Sequence, residues 1–329
     1  MYRKLIFAAL CLTFTVVVVG AYVRLQDAGL GCPDWPGCYG HWAGVPDQPH
    51  EIEHAAQAFP NRPVEAHKAW KEMFHRYIAG TLGVLLLAIA VTSWLKRRAL
   101  RQSPLLPSAI VLLVALQAML GMWTVTKLLK PAIVTLHLLG GMATLGLLTW
   151  LALRQLALPA AGFEAGRLRP WAALGLLIVI GQIALGGWVS ANYAALVCHD
   201  FPTCHGAWIP DMDFKHAFQF VRELGLTAAG TPLPIEALTA IQWTHRVGAL
   251  IAFLYLTMLS IALLHAPGFV RHGAALALLL LVQISLGVVN VMLGLPLLAA
   301  VAHNGVAAAL LMVLVVINFA LSRIPVPPE

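Results

Sequence analysis

Charge is what this sequence has least of. Charged residues fill 11% of its 329 positions, where a soluble domain carries about a quarter, so a water-soluble globular fold is excluded over most of the chain. Alternation of polar and apolar positions is missing too. The apolar runs are continuous, which excludes membrane strands of ~10 alternating residues. Proline is largely confined to loops and run ends, which argues against a transporter built on helices broken at mid-membrane. There is no basic soluble face carrying base-reading side chains, so the formal net charge of +7 does not mark a nucleic-acid binder. A clear cleavage site is also lacking. The first run follows Arg3-Lys4 and continues to Val23, longer than the ~7–15 apolar residues of a signal peptide, and is read as a retained helix.

What is present is hydrophobic, 60% of the chain. Eight apolar runs lie at about 5–23, 74–95, 105–125, 132–153, 170–191, 241–264, 273–293 and 297–321, each close to the ~20 residues that span a bilayer as a helix. The fold class expected is an all-α polytopic membrane protein with eight transmembrane helices. Charge asymmetry sets its orientation. Arg3, Lys4, Lys96, Arg97, Arg98, Arg101, Arg154, Arg167, Arg169, Arg271 and Arg323 share one side with only Glu164 and Glu329, whereas the other side holds 10 cations and 12 acids. Both termini are therefore expected in the cytoplasm, and the long loops 24–72 and 192–240 outside.

The chain also repeats itself. At an offset of 166, Gly20-Ala21-Tyr22-Val23 falls on Gly186-Gly187-Trp188-Val189, Cys32 on Cys198, Cys38 on Cys204, Gln117 with Gly121 on Gln283 with Gly287, and His137 on His303. His75-Arg76 reaches His245-Arg246 at an offset of 170. Two tandem pseudo-symmetric four-helix bundles are expected, residues 1–157 and 158–329, related as parallel repeats and joined by a linker around Leu158–Gly162. The outer loops are rich in Gly and Pro and predict turns; a short surface helix is expected between Ala55 and Trp70.

Four histidines, His75, His137, His245 and His303, sit in or at apolar runs, on the second and fourth helix of each half. Such helices can face each other across a bundle core, and two imidazoles across a core suit haem iron. Ala79, Gly141, Ala249 and Ala307 follow one turn later on the same face and leave room for a flat macrocycle. Helix packing through small residues and histidine hydrogen bonds is the bland alternative. Two histidines per site fall short of a zinc site. Arg24, Arg76 and Arg246 at the outer boundary serve either as interfacial anchors or as partners of haem propionates. Cys32/Cys38 and Cys198/Cys204 stand where disulfides persist, as structural staples or as redox-active pairs. Cys11 reads as inert packing. His41, His50, His54, His67, His199 and His205 read as solvated loop residues. Glu72 is the asymmetric residue, because Gln242 takes its place in the second half. A first-turn acid would gain from the helix dipole, but that leaves the amide unexplained; a carboxylate one turn from a ligand histidine can move protons.

With Gly20-Ala21-Tyr22-Val23-Arg24-Leu25, Gly29-Leu30-Gly31-Cys32-Pro33-Asp34-Trp35-Pro36-Gly37-Cys38, Glu72-Met73-Phe74-His75-Arg76 and the three further helix histidines in view, the sequence resembles the haem A synthase family over nearly its whole length. The resemblance implies oxidation of a ring methyl of haem O to a formyl group by successive hydroxylations, in a bacterial inner membrane. It implies substrate held between His75 and His137, a haem b cofactor between His245 and His303, catalysis at Glu72, and a disulfide between Cys32 and Cys38 with a redox role. The partners it implies are haem O and haem A, with the haem O synthase, cytochrome oxidase assembly factors and a second copy of the chain as candidate protein partners, within the lipid bilayer. The competing reading is a di-haem b electron-transfer cytochrome without substrate chemistry, which would be indifferent to Glu72.

Overall fold

A computed structural model describes residues 1–156 and 163–323. Its helices are α1 (Tyr2–Leu25), α2 (Pro49–Ala58), α3 (Ala66–Leu95), α4 (Arg97–Leu100), α5 (Leu105–Thr126), α6 (Pro131–Leu153), α7 (Phe163–Gly166), α8 (Arg169–Ala191), α9 (Phe214–Ala217), α10 (Ile235–His265), α11 (Val270–Met292) and α12 (Leu297–Leu321). Eight of them are long and apolar enough to cross a membrane: α1, α3, α5, α6, α8, α10, α11 and α12. The protein is thus an all-helical, multi-pass membrane protein. Val84, Leu112, Leu177, Leu254 and Leu278 lie on outward faces with more than half of their surface exposed, an arrangement suited to lipid rather than water. Cys11 is also exposed; it faces outward instead of packing inside. The expected boundary at 157–158, the linker Leu158–Gly162 and Glu329 lie outside the described residues.

Neighbouring helices define two rings. In the first, α1 packs on α3, α3 on α5, α5 on α6 and α6 back on α1; in the second, α8 packs on α10, α10 on α11, α11 on α12 and α12 back on α8. The diagonal partners are α3 with α6 and α10 with α12. The rings meet where α1 and α6 touch α12 and where α6 touches α8. The loops after α1, α5, α8 and α11 gather at one end, and Lys96, Arg97, Arg98, Arg154 and Arg271 at the other.

Buried clusters lie under both outer loops and on the basic side of the histidines in each ring. In the first ring Ile6, Ala9, Leu82, Leu86, Ile89, Ile110, Leu148 and Leu151 form a buried cluster. In the second, Val179, Leu256, Leu259, Leu276, Leu280, Leu310 and Leu314 do so. The four helix histidines lie toward the loop end, beyond these plugs.

Two helices begin earlier than their apolar runs. Helix α3 starts at Ala66 rather than near 74, and α10 at Ile235 rather than near 241. Their first two turns carry His67, Lys68 and Lys71, or Glu236, which need water or loop partners instead of lipid; hydropathy marks where lipid ends, not where a helix does. The surface helix expected between Ala55 and Trp70 is likewise displaced. It is α2, started by Pro49 with reciprocal Gln48–Glu51 capping, and Pro60 and Pro63 separate it from α3.

The two long loops share a local build. Asp34 accepts from the backbone N–H groups of Tyr39 and Gly40 (2.7 and 2.8 Å), and Asp200 from those of His205 and Gly206 (2.8 and 2.9 Å). These bonds, with one from Thr203, hold the Asp200 carboxyl well below the usual carboxylate range. Asp34 and Asp200 stand 166 residues apart, as do the two disulfides. At the seam between the rings, Arg24 donates to the carbonyl of Ser190 (2.7 Å), and the Tyr193 hydroxyl donates to Asp27 (3.0 Å). Both pairs are again 166 apart, a pattern consistent with an axis running between two parallel halves.

Candidate functional site

Each of the four helix histidines is seated against a glycine of the preceding transmembrane helix. A Cβ on Gly20 would lie 3.1 Å from Cε1 of His75, and one on Gly186 would lie 3.1 Å from Cε1 of His245. On Gly121 and Gly287 it would lie 3.4 and 3.3 Å from Cε1 of His137 and His303. Absence of a side chain lets Cε1 of each ring approach a neighbouring backbone closely. Helices α3 and α6 are diagonal in the first ring, so His75 and His137 approach the interior from opposite sides. The same holds for His245 on α10 and His303 on α12.

These residues fit a haem in each ring. All four histidines are half-buried, as are Ala79, Gly141, Ala249 and Ala307, one turn on. Two neutral nitrogen donors, small neighbours and an apolar surround match the needs of bis-imidazole iron in a flat macrocycle. Nδ1 of His75, His137 and His303 is buried without a hydrogen-bond partner among the described residues. Crowding the seat tests the fit. Gly186→Val is expected to displace the His245 ring at a cost of ~1–3 kcal/mol and to lower the haem retained by the second ring. Gly20→Val is expected to do so in the first ring alone. Haem content by visible absorption of the purified variants reads both.

Amide neighbours distinguish the rings. Gln182, one turn before Gly186, places Nε2 3.0 Å from Nδ1 of His245 and donates to the His245 carbonyl at 3.0 Å. Gln283 places Nε2 3.2 Å from Nε2 of His303. In the first ring Gln117 rests over Gly140, where a Cβ would clash with its amide at 1.7 Å.

Glu72 is the seventh residue of α3, beyond the first turn, which removes the helix-start role considered for it. It is buried, at 5% exposure. Oε2 accepts from the backbone N–H of Cys32 (2.9 Å), and Oε1 pairs with Arg76 Nη2 (2.5 Å). Arg76 Nη1 lies within hydrogen-bonding distance of the carbonyls of Asp34, Pro36 and Gly37. In the second ring Gln242 donates to the Ala195 carbonyl (3.2 Å), and Arg246 donates to those of Asp200, Thr203 and Cys198. Both arginines thus tie a disulfide loop to a histidine helix. Nε of Arg24 and of Arg246 remains buried without a partner among the described residues, which leaves a donor for a carboxylate at each.

Cys32–Cys38 and Cys198–Cys204 are disulfides with nearly fully buried sulfurs. A loop this small contributes about 2 kcal/mol by chain-entropy reasoning. Burial is alike in the two; only Cys32 carries a bond to the special carboxylate. His205 lies near Cys198 and Cys204, but those sulfurs are bonded to each other, so the trio offers a metal one donor. His41, His50, His54, His67, His199 and His205 all lie outside the transmembrane helices except His67, in the first turn of α3. Sequence reasoning missed the glycine seats, Gln182 and the two aspartates. The glycines and aspartates were visible as positions shared at the 166 offset, whereas Gln182 falls on Val16 and left no such trace.

Residues 3–315 match the model of the COX15-CtaA family, described as cytochrome oxidase assembly protein. The chain belongs to that family. Its relatives include the heme A synthase of Shewanella oneidensis, 45% identical over 94% of this chain and 93% of the relative. That of Halalkalibacterium halodurans is 28% identical over 98% of this chain and 99% of the relative. That of Caulobacter vibrioides is 29% identical over 94% and 92%. The family match reaches both rings, so the two histidine pairs and both disulfide loops all fall within it.

Proposed function

We propose that the chain is a haem A synthase: it oxidises one ring methyl of haem O to a formyl group through successive hydroxylations and releases haem A. The observation that carries this reading is a near-duplicate pair of histidine sites whose motifs, Glu72 to Arg76 and Gln242 to Arg246, differ in one ionisable residue, Glu72 against Gln242, in a chain similar to synthases from end to end. The first half, residues 1–157, takes substrate between His75 and His137. The second, 158–329, takes haem b between His245 and His303. When bound, haem b supplies a one-electron iron couple.

The residues divide the remaining work. His75 and His137, seated on Gly20 and Gly121, hold the substrate's plane. The apolar ring around them excludes water. Glu72, one helical turn from His75, can hold or pass a proton at its carboxylate while its other oxygen stays on the Cys32 amide. Arg76 keeps the loop closed over that carboxylate. Arg24, Arg76 and Arg246 are the candidates for propionate contacts. The excess of cations at the opposite end supports an orientation with that end on the cytoplasmic side of a bacterial inner membrane and the disulfide loops outside. In that compartment the disulfides persist, and the Cys32–Cys38 pair, bonded through Cys32 N–H to Glu72, is the one placed for a redox role.

Pigment extracted from the purified protein tests the reading. With haem O supplied during expression, haem O or haem A is expected beside haem b. Haem b alone under those conditions would instead make the protein a di-haem electron-transfer cytochrome.

A further inference from the structure

The two rings differ in what stands behind their histidines. Gln182 sits 3.0 Å from Nδ1 of His245. Its seat exists because position 248 is glycine: a Cβ there would lie 2.4 Å from Gln182 Oε1 and 3.0 Å from Leu185 Cδ1. The matching positions of the first ring are Val16 and Ile78, so that ring has no amide at this place and no glycine to seat one, and Nδ1 of His75 has no hydrogen-bond partner among the described residues. Oε1 of Gln182 is itself buried and has no partner among the described residues. A buried, half-satisfied amide is destabilising, and valine stands at the equivalent place in the same chain.

We propose that Gln182 is a positioning residue for the second ring: it fixes the His245 imidazole and sets how strongly that ring donates to a bound iron, so that this haem is held permanently while the first ring keeps an exchangeable one. The proposal rests on the second ring being the haem b site. The amide has two settings related by a half-turn of its end group. In the one observed, Nε2 faces Nδ1, and the imidazole accepts. In the other, Oε1 faces Nδ1 and receives its proton, at the cost of the bond that Nε2 now gives to the His245 carbonyl. An imidazole bound to iron through Nε2 carries its proton on Nδ1, which selects the second setting. A hydrogen-bond acceptor there fixes the tautomer and makes the ligand a better donor. A better donor favours ferric over ferrous iron. His75 lacks that acceptor among the described residues and rests against Gly20.

The test uses the full-length protein purified with haem b bound, and three variants. Gln182→Met keeps the length and removes the amide, Gln182→Glu offers a stronger acceptor, and Gly248→Ala crowds the amide from its seat. Two quantities are read: the rate at which haem b passes to excess apomyoglobin, and its midpoint potential. The Met variant is expected to lose haem b about 10-fold faster with a raised potential. The Glu variant should retain haem b at least as well as wild type, with a lowered potential, and Gly248→Ala should follow Met. Potentials that move the same way in Met and Glu, or not at all, would overturn the role of Gln182. Wild-type protein that holds no haem b on His245 would overturn the site assignment and this proposal together.

Discussion

Glu72→Gln is expected to leave haem b and the helical fold in place and to lower haem A formation by roughly 10²–10⁴-fold, the range for losing a general acid–base group. The second ring shows why the fold survives. There Gln242 occupies the matching place at 4% exposure and reaches the Ala195 carbonyl, so the scaffold accepts an amide at this depth. In the first ring the amide oxygen can still accept from Cys32 N–H, and Arg76 keeps the carbonyls of Asp34, Pro36 and Gly37. What disappears is the charge, and with it the proton-holding oxygen one turn from His75. Haem extracted from wild-type and variant protein, each expressed with haem O, is the measurement. A normal haem A yield from the variant would remove Glu72 from the chemistry and leave it as a brace for the disulfide loop.

His245→Ala should abolish most haem b binding while the first ring still takes up haem O. His245 and His303 belong to α10 and α12, and His75 and His137 to α3 and α6; none of the four helices serves both rings. Loss of one of two iron ligands leaves the macrocycle with His303 alone, and Gln182 with an empty seat beside it. Haem b content should therefore fall close to background, and haem O content by a much smaller factor. Equal loss of both pigments would mean that the two rings form one cooperative site. The reciprocal variant, His75→Ala, should spare haem b.

Much of this was legible in the residues. Long apolar runs and their cation bias give the helix count and order, and the 166 offset gives the two-ring plan, because each depends on the chemistry of consecutive residues. The family resemblance rests on local motifs in the same way. Helix starts were less legible. Ala66 and Ile235 begin helices in polar sequence that only the folded loops explain, so Glu72 looked like a first-turn acid when it lies deeper along α3. Contacts between helices were least legible. Nothing about Gly20 or Gly186 alone says that an imidazole rests on it, and Gln182 among aliphatic residues gives no sign that Gly248, 66 positions away, makes its room. The roles of Arg76 and Arg246 as ties to loop carbonyls are likewise properties of the closed loops.

The seam between the rings has a consequence for the order of the halves. Arg24 reaches the backbone of Ser190 and Tyr193 reaches Asp27, each residue meeting its own counterpart. Two copies of the first half fused head to tail would set carboxylate against carboxylate where Tyr193 now meets Asp27. Two copies of the second would leave the seam with neither guanidinium nor carboxylate. The contact is keyed, and a chimera assembled from like halves would be repelled or slack at the line where the native chain locks.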